Sequence, residues 1–355
     1  MTGGRKVLHM GKFTVAKTEL YARRYALGIG FFLILLIPGI LIAVYLVGGA
    51  ASVFLFGALP VAVAFFGGAR RQSLLVLVFM TVAGTLARAF DGSPIPSALL
   101  VGLAALVIGL AARRGLSSPI MEVGIVLGFL VMSPPDLTNK DSSVFSAIDP
   151  VIATAALLAI GGLWAFLVGT IVHKKAPTVP ENKITDLSVV LPYAFALALS
   201  TGVVTYFLLD FSAGHLGAWV ILTIFVIMKP SHDSTIAQTK DRIQGTFAGT
   251  AIAIIAIEIL HLLNSQQGLV QITIAFLFIG IAMAYFVPGP YWVYVMFLTP
   301  GIILMDSNAV SDQDDVALTR IAFTLMGIAI ALAIGFLVQR SARVVTKRKS
   351  TTPDQ

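Results

Sequence analysis

Arg88, Glu122, Glu258 and Arg320 each stand inside an apolar run, and Arg242 closes a short charged loop between two such runs. An ionisable side chain is expensive inside a bilayer, so each is a candidate for work on an ion or a charged substrate. Arg88, Arg242, Glu258 and Arg320 are candidates for binding an anionic substrate, and Glu122 or Glu258 for carrying a coupled proton. Arg88 and Glu258 fall late in their runs at comparable depth, which allows two readings. Either they face a shared central cavity and pair, or they snorkel to the outer interface. Glu122 near the start of one run and Arg320 in the first turns of another leave interfacial placement open. Arg242 either faces the cytoplasmic mouth and attracts an anion or serves only as a topology anchor.

The loop holding Arg242 is SHDSTIAQTKDR, flanked by WVILTIFVIMKP and IQGTFAGT. Thr235 with Gln238 has capping-box spacing and predicts a helix from near Ile236. Gly245 and Gly249 form a small-xxx-small pair that lets another helix approach, a packing role. The run from Pro119 to Ser133-Pro134-Pro135 is short, as is the run after Pro288-Gly289-Pro290, which is broken by Pro300-Gly301. Freed backbone groups at such interruptions can hold ions or a carboxylate, which makes Pro300 and Gly301 candidates; a tilted or re-entrant structural segment is the alternative. Tyr285, Phe286, Tyr291, Trp292, Tyr294 and Phe297 gather around the Pro-Gly-Pro turn as a stacking surface or an aromatic belt. His215 and Trp219 read as belt residues at an outer end.

The elements that must position these residues are membrane helices. With 57% hydrophobic and 12% charged residues and a mean hydropathy of +0.94, the chain lies far from soluble composition. Apolar runs lie near 27–48, 51–68, 73–90, 96–112, 119–133, 150–172, 187–209, 214–228, 241–263, 269–287, 290–305 and 316–339. They are too long and continuous for barrel strands. The reading is an all-α polytopic membrane protein of about twelve transmembrane helices. Basic residues recur at alternate connections and both ends, which places the N- and C-termini in the cytoplasm and explains the net charge of +7 without nucleic acid. Residues 1–26 form a basic N-terminus and 27–172 a six-helix unit. Residues 173–186 then make a linker, 187–340 a second six-helix unit and 341–355 a basic tail. Six plus six gives two parallel repeats, supported by Ala83-Gly84-Thr85 answering Ala248-Gly249-Thr250.

Enzyme signatures are missing: there is no H-E-x-x-H, G-x-S-x-G, P-loop or dinucleotide fingerprint. Cysteine is absent, and His9, His173, His215, His232 and His261 lack ligand spacing, so no metal or cofactor is expected and the chain is not read as an enzyme.

Trp219, Thr223, Pro230, Arg242, Gly245, Thr246 and Gly249 form a W…T…P…R-x-x-G-T-x-x-G pattern that resembles the fusaric-acid-resistance and aromatic-acid-exporter group. A later P-x-x-Y-W-type turn, Pro288 to Trp292, is similar to that group's. The likeness covers mainly 187–340; the first half lacks the tryptophan and the long loop. It implies a bacterial inner-membrane (plasma membrane) secondary transporter that exports small organic anions, such as aromatic carboxylates, with proton coupling. A passive anion channel, as in the related plant malate channels, and a non-transporting scaffold are the alternatives. The implied partners are the anion and the lipid bilayer. A homo-oligomer is left open, and a periplasmic adaptor is expected only where the cell has an outer membrane.

Overall fold

The computed structural model describes residues 48–66, 70–137, 148–172, 186–230, 232–262, 268–286, 290–306 and 313–350, with Ile184 and isolated positions between 30 and 42. The first apolar run and the basic N-terminus therefore lie almost wholly outside the described residues. Eleven α-helices are described: α1 Gly48–Phe66, α2 Arg70–Phe90, α3 Pro94–Ala111, α4 Ser117–Met132, α5 Pro150–Val172, α6 Leu187–Asp210, α7 Ala218–Ile227, α8 His232–Leu262, α9 Gly268–Phe286, α10 Tyr291–Asp306 and α11 Gln313–Ser350. No strand occurs among the described residues. Among the described residues, six segments are long and apolar enough to cross a membrane: Gln72–Phe90, Pro94–Arg114, Pro150–Ile171, Leu187–Asp210, Ser234–Leu262 and Leu318–Leu337. The other helices are shorter and apolar. The protein is a multi-pass membrane protein.

Local signals set the helix starts and turns. Asp149 and Asp186 accept backbone N–H groups from Val151 and Ser188, both at 2.8 Å, and so cap α5 and α6. Pro94 opens α3, where its missing N–H costs nothing. Between α2 and α3 the chain turns through Asp91 (φ 46°) and Gly92 (φ 73°). The eighth apolar run is expected over 214–228. It begins instead with a 3₁₀ turn, Gly214–Gly217, before the ten-residue α7.

Lipid offers no hydrophobic drive between helices, so close backbone approach does much of the packing. On α1 and α5, Gly57 lies against the Leu158 backbone and Gly161 against the Phe54 carbonyl. Gly327 of α11 does the same on α7, where a methyl group would come within 3.0 Å of the Val220 carbonyl. Gly124 and Gly128 of α4 accept Phe225 and Ile221 of α7. The long contact between α3 and α6 joins the two halves. A main core runs through α1–α7 and α11, while Ala253, Ile257, Leu260, Ala275, Ile303 and Leu304 form a separate small core between α8, α9 and α10. Leu75, Leu99, Leu103, Phe195, Leu199 and Leu277 point outward, as lipid-facing residues do.

Candidate functional site

The site grows from the elbow between α7 and α8. Lys229-Pro230 ends α7, since proline cannot continue the helix. The Lys229 N–H donates to Thr235 Oγ1 at 3.1 Å, and that hydroxyl donates back to the Lys229 carbonyl at 3.3 Å. Helix α8 begins at His232, earlier than the predicted start near Ile236, so Thr235 sits inside the first turn. Its hydroxyl satisfies the preceding helix end in place of a capping box. The Tyr193 hydroxyl reaches the Met228 carbonyl at 3.4 Å and ties α6 to the same corner. Lys229 there lies in the electrostatic reach of half-buried Glu122 on α4.

Two turns up α8, Arg242 is 2% exposed. Its Nη1 donates to the Tyr291 hydroxyl of α10 at 3.3 Å, while its Nε has no partner among the described residues. Tyr291 also meets Gln238, and Tyr291 and Tyr294 both feel the charges of Glu122 and Arg242. Glu122, Lys229, Gln238, Arg242 and the two tyrosines thus converge from α4, the elbow, α8 and α10. Only Glu122 among them can carry a negative charge at neutral pH.

Arg320 of α11 is also 2% exposed, and its guanidinium carbon lies 3.8 Å from the ring centroid of Trp219 on α7. A desolvated cation–π contact contributes about 2 kcal/mol or more. Phe129 of α4 meets the same indole edge-on, with centroids 5.0 Å apart at 83°. One turn on, the Thr223 hydroxyl bonds back to the Trp219 carbonyl at 2.6 Å. At 1.5 Å per residue, Arg242 lies about 15 Å along α8 from His232, and Trp219, the residue beneath Arg320, lies about 12 Å back along α7 from Ile227. Helix α8 packs on α11 and α7 as well as α10.

One and two turns along α8 from Arg242, one turn along α11 from Arg320, and on the indole beneath Arg320 lie buried polar groups with no partner among the described residues: Thr246 and Thr250 Oγ1, Thr324 Oγ1 and Trp219 Nε1. Leaving such a group unsatisfied costs about 1–3 kcal/mol, so a concentration of them is unusual in a core. Elsewhere, those on Thr81, Ser97, Trp164 and Thr205 occur singly on four different helices. The arrangement offers guanidinium, hydroxyl and indole donors in one region, which is the chemistry that receives an oxyanion.

Residues 199–334, which hold most of this site, match the family model described as fusaric acid resistance protein-like. Over that stretch, a little more than a third of the chain, the sequence is similar to that family. The chain is 31% identical over 147 residues to inner membrane protein YccS of Escherichia coli (strain K12), a match covering 41% of this chain and 18% of that protein. It is 31% identical over 127 residues to the uncharacterized protein slr1298 of Synechocystis, covering 36% of this chain and 16% of the relative. The matched stretch is therefore less than a fifth of either relative's length. No solved structure matches the chain.

Within the matched stretch, Arg242 and Arg320 are buried on two helices, α8 and α11, that pack on one another. Arg88, outside that stretch, pairs with Asp91 at 3.7 Å, one turn further along the chain, rather than with Glu258. Glu258 is exposed on α8. Pro300-Gly301 does not break its helix: α10 runs continuously from Tyr291 to Asp306 with both residues buried. Proline removes the N–H that would have bonded the Met296 carbonyl. That carbonyl instead faces Gly249, where a methyl group would come within 2.6 Å of it, and Gly245 lies equally close to the Trp292 carbonyl. Gly301 packs on α9 against Ile279 and the Ala275 carbonyl. Of the aromatic group, Tyr291 and Tyr294 tilt together at 5.9 Å, Trp292 is partly exposed, and the side chains of Tyr285 and Phe286 lie outside the described residues, as does that of His215. Trp219 is the residue that sequence reading misplaced. It is 2% exposed beneath an arginine and does not belong to an interfacial belt. The W…R-x-x-G-T pattern flagged it, but nothing in the pattern names Arg320 as its partner.

Proposed function

We propose that the protein is a secondary transporter of small organic anions in a bacterial inner membrane, built as two parallel six-helix repeats of about twelve spans with both termini cytoplasmic. The observation that carries this reading is the burial of Arg242 and Arg320 beside hydrogen-bond donors, on helices long and apolar enough to cross a membrane. Buried cations in a bilayer are kept where they meet an anion or an ion path. Tyr291 and Tyr294 beside Arg242 suit an aromatic carboxylate, since they can stack on its ring while the guanidinium takes its carboxylate. Glu122 is the proton-coupling carboxylate of this reading, because it shares the field of Lys229, Arg242 and the tyrosines, whereas Glu258 stands apart.

Flux of benzoate and aliphatic carboxylates from proteoliposomes, with and without an imposed pH gradient, tests it. Accumulation against a concentration gradient that needs the pH step is the expected result. Flux that only follows the anion's electrochemical gradient would make the protein a channel, and absence of flux across the whole panel would refute transport.

A further inference from the structure

A shift of 165 or 166 residues relates several close helix contacts of the two halves. Gly161 against the Phe54 carbonyl becomes Gly327 against the Val220 carbonyl, each 166 residues on, and Gly84 becomes Gly249, 165 on. The helix neighbours agree: α1, α2 and α5 contact one another as α7, α8 and α11 do. At the same shifts Val53 stands for Trp219, Thr154 for Arg320, Leu158 for Thr324 and Leu77 for Arg242. The threonines persist, Thr81 for Thr246 and Thr85 for Thr250. In the first half both arginines, the indole and one hydroxyl are thus replaced by uncharged or apolar groups. The Thr85 hydroxyl closes on the Thr81 carbonyl at 2.6 Å, whereas Thr250 Oγ1 bonds nothing among the described residues.

We infer that one carboxylate anion per chain binds in the seam between α7, α8 and α11, where Thr246, Thr250 and Thr324 donate to the oxygens that Arg242 and Arg320 attract, and that the matching first-half seam binds none. The inference rests on the reading of the protein as an anion transporter and names the donors of its site. Arg242, Thr246 and Thr250 recur at i, i+4 and i+8, one strip of α8 beside the strip of Gly245 and Gly249 that presses on α10. Arg320 and Thr324 likewise share one face of α11, and Gly327 on that helix keeps it close to Thr223 and Val220 of α7. A carboxylate has about four lone-pair sites, more than one guanidinium fork satisfies, and the hydroxyls supply the rest. An anion entering the first-half seam would meet hydroxyls with no counter-charge, which does not compensate for its lost hydration.

The test is benzoate titration of the purified full-length protein in detergent, by calorimetry and by the shift of its thermal midpoint, paired with flux in proteoliposomes. Threonine-to-valine changes keep shape and remove only the hydroxyl. The double variant T246V/T250V is expected to lose about tenfold or more in benzoate affinity; T81V/T85V should stay within about twofold of wild type. Wild type should bind one benzoate per chain. Unchanged elution and unliganded midpoint show that both variants fold, and Thr324→Val offers a second single-hydroxyl probe. A stoichiometry of two, or equal losses in the two double variants, overturns the one-seam assignment. Benzoate binding and flux that survive T246V/T250V and Thr324→Val overturn the seam but leave transport standing. No binding and no flux of any carboxylate by wild type overturns both.

Discussion

On α1 and α5 the close approach at Gly57 and Gly161 is mutual, with Val53, Phe54 and Leu158 buried beside the backbone contact. On α7 and α11 a single glycine, Gly327, makes the approach, Thr223 replaces the second, and an arginine lies over an indole two turns away. The same spacing between helices is thus used for adhesion in one half and for holding a charge in the other. The comparison teaches that the burial of Arg320 is a property of its neighbours, since the position itself accepts a threonine, Thr154, buried to 1% in the first half.

The strongest way to break this comparison is to move the charge. Thr154→Arg would bury a cation against Val53, with no aromatic face to receive it, and should destabilise the protein by about 3–5 kcal/mol. Thermal unfolding in detergent would show it, and a stable, unperturbed variant would refute the idea that Trp219 makes the arginine tolerable. Arg320→Met, by contrast, keeps the volume and removes the charge. Folding should survive or improve, because well-packed apolar residues replace buried ions at little loss, while carboxylate flux falls about a hundredfold or more. Retained flux would move the site away from Trp219.

Glu122→Gln sharpens the contrast between the two ends of the site. Accumulation driven by a pH gradient should be lost, with downhill flux and benzoate binding kept to within a fewfold. Unaltered pH-driven accumulation would remove Glu122 from the coupling role. The smallest effect belongs to Asp186 at the start of α6. Its hydrogen bonds from Ser188 hold the carboxyl below its ordinary pKa. Capping is then fully present above the ordinary carboxylate range and fades as pH falls through the lowered value. Asp186→Ala should speed amide exchange in the first turn of α6 and leave anion binding unchanged; slowed exchange or altered binding would contradict a purely local cap.

Much of the architecture was legible in the sequence, because apolar runs of membrane length report helices directly. The echo at Gly84 and Gly249 was equally visible. Arg242 and Arg320 were legible as candidates since charges stand out in such runs. Trp219 was not, because its distance from a span end suggests an interface, and only the packing of α11 on α7 shows that an arginine covers it. Pro300-Gly301 looked like a break because proline removes a hydrogen bond. What sequence cannot convey is that a glycine on another helix lets the freed Met296 carbonyl be closed over, so the helix continues. Arg88 was set against Glu258 by matching depth alone, and its nearer carboxylate, Asp91, arises from a tight turn that folds back within one helical turn.

The closure of Met296 and Trp292 against Gly249 and Gly245 has a mechanical consequence. Two helices joined backbone to backbone at two points one turn apart resist sliding past one another, so α8 and α10 act as a single lever, with a small core of their own shared with α9. Arg242 rides on that lever, held by Tyr291, whereas Arg320 is clamped to α7 and the main core. A tilt of the lever would therefore move Arg242 against a fixed Arg320 and change the spacing of the two guanidiniums.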